Sequence, residues 1–323
     1  MISTSRRTFL AHGAAGTALL ATSGFAGMAA AQAPMLGAAR PTYRRIKLGD
    51  FEVTTLLDGA RPQADPWQMF GDEAGDGPVG QMLAANNLPT DFAEFTFIPT
   101  LVNTGTDLIL FDTGIGDGGQ PDTGNLAQRI VDAGYTPEQV SLVVLTHMHP
   151  DHIGGLMSGG APVFSNASYV TGRAEYDFFA SPDRMGSPAE GVHQLVLSNV
   201  LPLAEKMRFI EAGESVASGI DAVAAFGHTP GHMAYHVESA GRRFMLTADT
   251  ANHYVIALQD PSIPFGFDID KEAATAARRE VFGMLAADKV PFVGYHMPFP
   301  GMGYVTADGD GFRYEPASYQ LNL

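Results

Sequence analysis

Short apolar runs separated by glycine- and proline-rich turns recur from residue 43 onward, interleaved with a few stretches of helical period. Tyr43–Leu48 and the alternating Phe51–Leu57 read as two strands. Residues 60–90 carry Pro62, Pro66, Gly71, Gly75, Gly77 and Pro78, and they read as a long excursion rather than a packed element. Phe97–Asn103 and Leu108–Phe111 are apolar runs joined by Thr104-Gly105-Thr106-Asp107, a hairpin signal. Ser141–Thr146 is branched and does not alternate, the pattern of a strand buried on both faces. Further strand-like runs fall at Ser168–Thr171, Ala222–Phe226, Ala234–Glu238, Arg243–Thr247 and Pro291–Tyr295. Helices are predicted at Leu126–Ala133, stopped by Gly134, and at Lys271–Ala287, where Asp270 is placed to cap the first turn. Strands interleaved with helices indicate an α/β fold, and so many hairpins favour two sheets over one.

Composition narrows the field. The 323 residues are 45% hydrophobic and 17% charged, enough apolar material for one large domain. No composition break or repeat marks a second. A net charge of −16 repels phosphate backbones and anionic membranes, which argues against nucleic acid as a partner. There is no cysteine, so disulfides, thiolate ligands and a cysteine nucleophile are excluded. Ser5-Arg6-Arg7-Thr8-Phe9-Leu10 precedes an uncharged, alanine- and glycine-rich stretch up to Ala33, the layout of a twin-arginine export signal. The expectation is a leader over residues 1–33, a mature domain over 34–323, a periplasmic or secreted product, and no membrane anchor once the leader is removed.

The chemistry concentrates where the buried strand ends. His147, His149, Asp151 and His152 follow Thr146 within six residues. In an extended segment side chains two apart point the same way, so His147 and His149 can grip one ion. Asp151 and His152 lie where the chain turns into Gly154-Gly155 and can reach a second. Other ligand types also follow strand-like runs: His232 at the end of Gly227-His228-Thr229-Pro230-Gly231-His232, then Asp249, then His296. Imidazoles and carboxylates gathered at strand ends suit zinc and similar divalent cations. Asp112 follows another apolar run and is read as a carboxylate that orients a metal-bound histidine. His228 is read as a brace for its loop. His193, His236 and His253 carry no pattern.

The run His147–His152, the Gly-His-Thr-Pro-Gly-His segment, Asp249 and His296 together resemble the metallo-β-lactamase superfamily. Within it the chain is similar to methyl parathion hydrolase and related lactonases, through Leu48–Thr54, Leu101–Gly105, His147–Leu156 and His296–Gly301. The resemblance implies an αββα sandwich, two mixed sheets flanked by helices. It implies one metal on His147, His149 and His232, another on Asp151, His152 and His296, and Asp249 bridging them. Zinc is the first expectation, with manganese, cobalt or iron as alternatives. Flavo-diiron proteins carry Glu where His149 stands, and β-lactamases lack a carboxylate where Asp249 stands, so neither iron redox chemistry nor penicillin-type substrates fit.

The implied activity is hydrolysis of a small-molecule lactone or ester, with phosphotriester hydrolysis as a side activity or as the alternative main one. A non-catalytic metal-binding protein is the third reading. Two metals sharing a water lower its pKa toward ~7, and Asp151 is the candidate proton shuttle. The family's aromatic pocket finds one counterpart, Phe179, while Tyr254, Phe265 and Phe267 are expected to serve packing. A homodimer is compatible with the sequence, which does not fix the oligomeric state.

Overall fold

Strands Leu108–Phe111 and Leu142–Leu145 lie side by side in parallel and show why the molecule is layered. Successive strand side chains point to opposite faces. Ile109, Phe111 and Val144 therefore enter one core, while Leu108, Leu110, Val143 and Leu145 enter another. The computed structural model describes residues 33–36, 39–119, 122–318, 321 and 323. The leader expected over residues 1–33 lies outside them except for Ala33. Pro41–Leu323 form one compact unit, and no helix among the described residues is long and apolar enough to cross a membrane.

The first sheet has seven strands in the order Tyr43–Leu48, Phe51–Leu56, Thr100–Asn103, Leu108–Phe111, Leu142–Leu145, Ser168–Gly172 and Met207–Ile210. Its first four strands pair antiparallel and the remaining steps are parallel. The second sheet runs Ser215–Ala217, Ile220–Ala224, Met233–Ser239, Arg242–Ala248, Phe292–Gly294, Met302–Asp308 and Gly311–Pro316. All its pairings are antiparallel except that of Arg242–Ala248 with Phe292–Gly294. Inward-facing residues of both sheets, among them Val53, Val102, Val144, Tyr235, Phe244 and Leu246, form the central core. Helix Leu126–Asp132 and the helical stretch Glu190–Val200 cover the outer face of the first sheet through Ile130, Val196 and Val200. Helix Lys271–Asp288 covers the second through Val281, Phe282 and Leu285. This is the expected αββα sandwich. Asp270 caps the long helix as predicted, accepting from the backbone N–H of Ala273 at 2.9 Å.

Residues 60–90 depart from expectation. Gly59–Ala64 is a strand paired antiparallel with Phe92–Phe97, and Pro66–Phe70 and Pro78–Ala85 are helical. Phe70, Val79 and Leu83 pack with Phe95, Phe97, Phe265 and Tyr295 in a core of their own. Apolar side chains spaced among the prolines bury enough surface to order the segment, and the breakers mark its joints. The expected strand Phe97–Asn103 also divides at Ile98-Pro99: its start belongs to this small sheet and its end, Thr100–Asn103, to the large one.

Candidate metal centre

Each ligand-type side chain sits just beyond the carboxyl end of a strand, and the backbone there is shaped to aim it. Asp112, immediately after Leu108–Phe111, adopts a left-handed backbone with φ 60°, a conformation Asp tolerates better than most residues. Ala248 also has positive φ, 43°, at the point where pairing with Phe292–Gly294 slips register. That irregularity turns Asp249 out of the strand and into the site. In the Gly-His-Thr-Pro-Gly-His segment, Gly227 has φ 125°, and a Cβ there would stand 2.0 Å from the backbone nitrogen of Ala274. Only glycine lets this loop lie against the start of the long helix.

Hydrogen bonds then decide which imidazole nitrogens are free. His152 Nδ1 donates to Asp112 Oδ2 at 2.8 Å, and His296 Nδ1 donates to the Thr96 carbonyl at 2.9 Å. His228 Nδ1 donates to Asp268 Oδ1 at 2.8 Å. Thr146 gives its hydroxyl proton to Asp112 Oδ2 at 2.9 Å and lies 3.1 Å from His147 Nδ1, whose proton it accepts. The opposite nitrogen of each ring thereby faces inward and becomes a lone-pair donor in the neutral ring, the tautomer a metal requires.

Two groups result. His147 Nε2 lies 3.1 Å from His149 Nδ1, which lies 2.9 Å from His228 Nε2. Asp151, His152, Asp249 and His296 form the second group, and within each group the donor atoms all lie within 4.8 Å of one another. Asp249 faces both: its Oδ2 is 3.4 Å from His228 Nε2 and 3.0 Å from His296 Nε2, and its Oδ1 is 3.2 Å from His152 Nε2. Yet His152 Nε2 and Asp249 Oδ1 are fully buried and have no hydrogen-bond partner among the described residues. Buried polar atoms left unpaired are costly. Lone pairs converging in this way match a pair of divalent cations, so the residues fit two metals.

The structure exchanges the roles that the sequence suggests for two histidines. His232 was expected to face the first metal and His228 to brace the loop. In the structure His232 Nδ1 donates to the Ala225 carbonyl at 2.9 Å, and its Nε2 accepts from the Asp249 backbone N–H at 3.1 Å. Both its nitrogens are consumed by backbone. His228 brings the free nitrogen instead. His147, His149, Asp151, His152, Asp249 and His296 stand where the reading placed them, and Asp112 lies behind His152 and Thr146.

Electrostatics divides the two groups. Burial, reinforced by neighbouring imidazoles, holds His147 well below the ordinary histidine value and His149 at about 3. Burial also pushes on His152 and His296, but there the carboxylates win. Asp151, Asp249 and Asp112 raise His152 well above its ordinary value, and Asp249 and Asp151 raise His296. Burial raises the Asp151 carboxyl, but His152 and His296 outweigh it and hold the group at about 2. Asp151 therefore stays ionised at neutral pH.

Three polar residues that the sequence reading passed over complete the frame. Glu175, buried, accepts from the Met148 N–H at 2.8 Å, the Thr229 hydroxyl at 2.7 Å and the Gly231 N–H at 2.9 Å, so it staples the His147–His152 segment to the His228 loop. Asn252 donates to Asp249 Oδ2 at 2.9 Å. Asp268, behind His228, is paired at 3.2 Å with the buried Arg278, which also donates to the carbonyls of Thr250, Pro261 and Ile263. None carries a local motif. Glu175 and Asp268 are defined by partners far along the chain, and Asn252 by a carboxylate three residues before it.

The two groups open into a cavity of about 880 Å³. Phe179 lines it as expected, and so do Phe178, Phe95, Phe97, Phe265 and Phe267. For the last two the sequence favours packing over a place in the pocket; the exposed Phe267 stands against Phe265 at 5.4 Å between ring centres, part of the wall. Ile115 lines it from the Gly114–Gly124 loop, which Asp58 anchors by accepting from the N–H groups of Ile115, Gly124 and Leu126.

Residues 99–292 match the metallo-β-lactamase superfamily as a family. The chain belongs to that superfamily. Among curated relatives it is similar to an N-acyl homoserine lactonase of Bacillus cereus, 30% identical over 146 residues, which are 45% of this chain and 52% of the relative. It is also similar to the N-acyl homoserine lactonase AiiA of Bacillus thuringiensis subsp. kurstaki, 26% identical over 145 residues, 45% of this chain and 50% of the relative. The matched stretch thus spans about half the length of these superfamily members. Among solved structures, AidC, a dizinc quorum-quenching lactonase in complex with a product, superposes with a TM-score of 0.79 at 27% identity, covering 86% of this chain and 98% of that one. The hydrolase AbOPH of the β-lactamase superfamily shares the fold, with a TM-score of 0.80 at 24% identity over 88% of this chain and 100% of that one.

Proposed function

We propose that this protein is a two-metal hydrolase that opens the ring of an N-acyl lactone, with zinc as its resident metal. The observation that carries the reading is the pair of buried atoms with no aligned hydrogen bond, His152 Nε2 and Asp249 Oδ1, in a group of donors that Asp249 Oδ2 joins to the first group 3.4 Å from His228 Nε2. The dizinc lactonase AidC and the lactonase relatives support the choice of metal and substrate class.

His147, His149 and His228 would hold one ion, and Asp151, His152 and His296 the other, with Asp249 reaching both. Such a pair supplies an activated water at neutral pH and polarises the carbonyl oxygen under attack. The chain's own residues do the rest. Asp151, ionised and at the cavity floor, takes a proton from the attacking water and returns it to the alkoxide oxygen that leaves as the ring opens. The carbons of the acyl chain lie along Phe95, Phe97, Phe179 and Phe265, whose apolar wall excludes water from the reacting ester. Asp112, Asp268 and the Thr96 carbonyl keep their histidines in the required tautomer.

The six phenylalanines of the wall favour a second reading, phosphotriester hydrolysis with an aryl leaving group stacked among the rings. Side-by-side assay of an N-acyl homoserine lactone and paraoxon on metal-loaded protein separates the two. Faster turnover of the lactone is expected, and turnover of paraoxon alone overturns the first reading. The Ser5-Arg6-Arg7 leader pattern supports export of the protein to the periplasm or beyond. Secretion of the full chain that fails when Arg6 and Arg7 are both replaced by Lys tests this, and undiminished secretion of that variant contradicts it.

A further inference from the structure

The wall of the cavity contains cations that the hydrolytic chemistry leaves unused. Arg184 and Arg61 both line it, in a chain whose net charge is −16. Among the described residues neither forms an ion pair with a carboxylate, and Arg184 Nε is buried without a hydrogen-bond partner. The carboxylates that share the cavity are committed elsewhere: Asp151 and Asp249 to the metal groups, Asp268 to His228 and Arg278.

Arg184 is also held still. Its guanidinium carbon lies 4.3 Å from the centre of the Phe178 ring. Its backbone closes a tight turn, with its N–H donating to the Ser181 carbonyl at 3.0 Å and its carbonyl accepting from the Ser187 hydroxyl at 2.8 Å. A guanidinium resting on an aromatic face keeps its in-plane N–H groups available and pre-oriented for a planar oxygen acceptor. The side chain is half-buried, but its Nε is buried without a partner, a cost that a ligand oxygen reaching the group would offset.

We propose that Arg184, assisted by Arg61, forms an oxygen-acceptor subsite that selects substrates carrying a further carbonyl or carboxylate oxygen along the acyl chain, apart from the scissile ester and from the N-acyl amide. The assignment rests on the lactone reading of the metal centre and adds to it a preference that the phenylalanine wall alone does not supply. A purely apolar wall ranks acyl chains by length. A fixed guanidinium ranks them by whether an oxygen is present, and a site built for an acceptor penalises the analogue that lacks one.

The test uses the metal-loaded full chain and three homoserine lactones of equal acyl length: unsubstituted, bearing a ketone oxygen within the chain, and bearing a terminal carboxylate. The readout is the ratio of kcat/KM for each oxygenated lactone to that for the unsubstituted one. The wild-type ratio is expected to exceed one for at least one oxygenated lactone, and to fall about tenfold or more in Arg184→Met, as for loss of a hydrogen bond to a charged group. Methionine keeps the apolar cover over Phe178, Arg184→Lys should restore part of the ratio, and Arg61→Met should lower it less. Which lactone responds identifies the acceptor. Ratios unchanged by Arg184→Met, or no wild-type preference for either oxygenated lactone, overturn the subsite and leave the lactone reading standing. Turnover of none of the three overturns both.

Discussion

The Nδ1 of His228 donates to the Oδ1 of Asp268 across 2.8 Å, and the other oxygen of that carboxylate is gripped by Arg278 at 3.2 Å. A chain of contacts thus runs from the long helix on the outside of the second sheet to a nitrogen in the metal centre. Carboxylates placed behind metal-bound histidines fix ring orientation and raise basicity. Replacing Asp268 with Asn is expected to weaken metal retention at the His147–His149–His228 group by about ten- to a hundredfold. Chelator competition on the purified variant measures this. Retention equal to wild type would remove Asp268 from the site's support.

His228 and His232 lie four residues apart in one segment, yet the structure gives them opposite duties. His228→Ala should leave the chain folded and remove one of its two metal equivalents. His232→Ala strips partners from the Ala225 carbonyl and the Asp249 N–H, both tied by that ring, and should cost about 1–3 kcal/mol in folding stability. Chemical denaturation of the metal-free variants, set beside their metal content after loading, distinguishes the two. A variant lacking His232 that loses one metal and no stability would reverse the assignment.

Metal uptake should release protons, and unequally. His147 and His149 are held neutral by burial, so they have no proton to give up near neutrality. His152 and His296 are raised by Asp151 and Asp249, and both must deprotonate before their Nε2 can bind a cation. Filling the second group is expected to release more protons than filling the first, and affinity there should fall as the pH falls. Calorimetric titration in buffers of different ionisation enthalpy reads the number directly, and release of none would contradict the assigned charge states. The same shifts give a sign for the metal-free chain. The stabilisation from His152 and His296 is lost as pH rises through their raised folded values, and that from Asp151 is lost as pH falls toward about 2.

Much of this centre was legible in the sequence because its densest part is local. His147, His149, Asp151 and His152 follow one buried strand, and the extended geometry of that stretch already pairs the first two. Asp249 and His296 were legible from strand ends. The distinction between His228 and His232 was not, because it depends on a carbonyl at Ala225 and an N–H at Asp249 that meet His232 only after the second sheet forms. Glu175, Asp268 and Thr96 were hidden for the same reason. Thr96 lies on strand Phe92–Phe97, whose partner Gly59–Ala64 was masked by Pro62 within it and by the prolines and glycines that follow. That small sheet brings Arg61, Phe95 and Phe97 to the cavity, so one side of the cavity wall was hidden with it.

Asp249 lies within 3.4 Å of donors in both groups, so the account depends on it most. Metal content per chain, measured by elemental analysis on protein loaded with zinc and freed of excess, tests that dependence directly. The wild-type chain should hold two equivalents, and Asp249→Ala should hold one or fewer and lose lactone hydrolysis with it. Two tightly held equivalents and undiminished turnover in Asp249→Ala would show that the groups are not joined through this carboxylate.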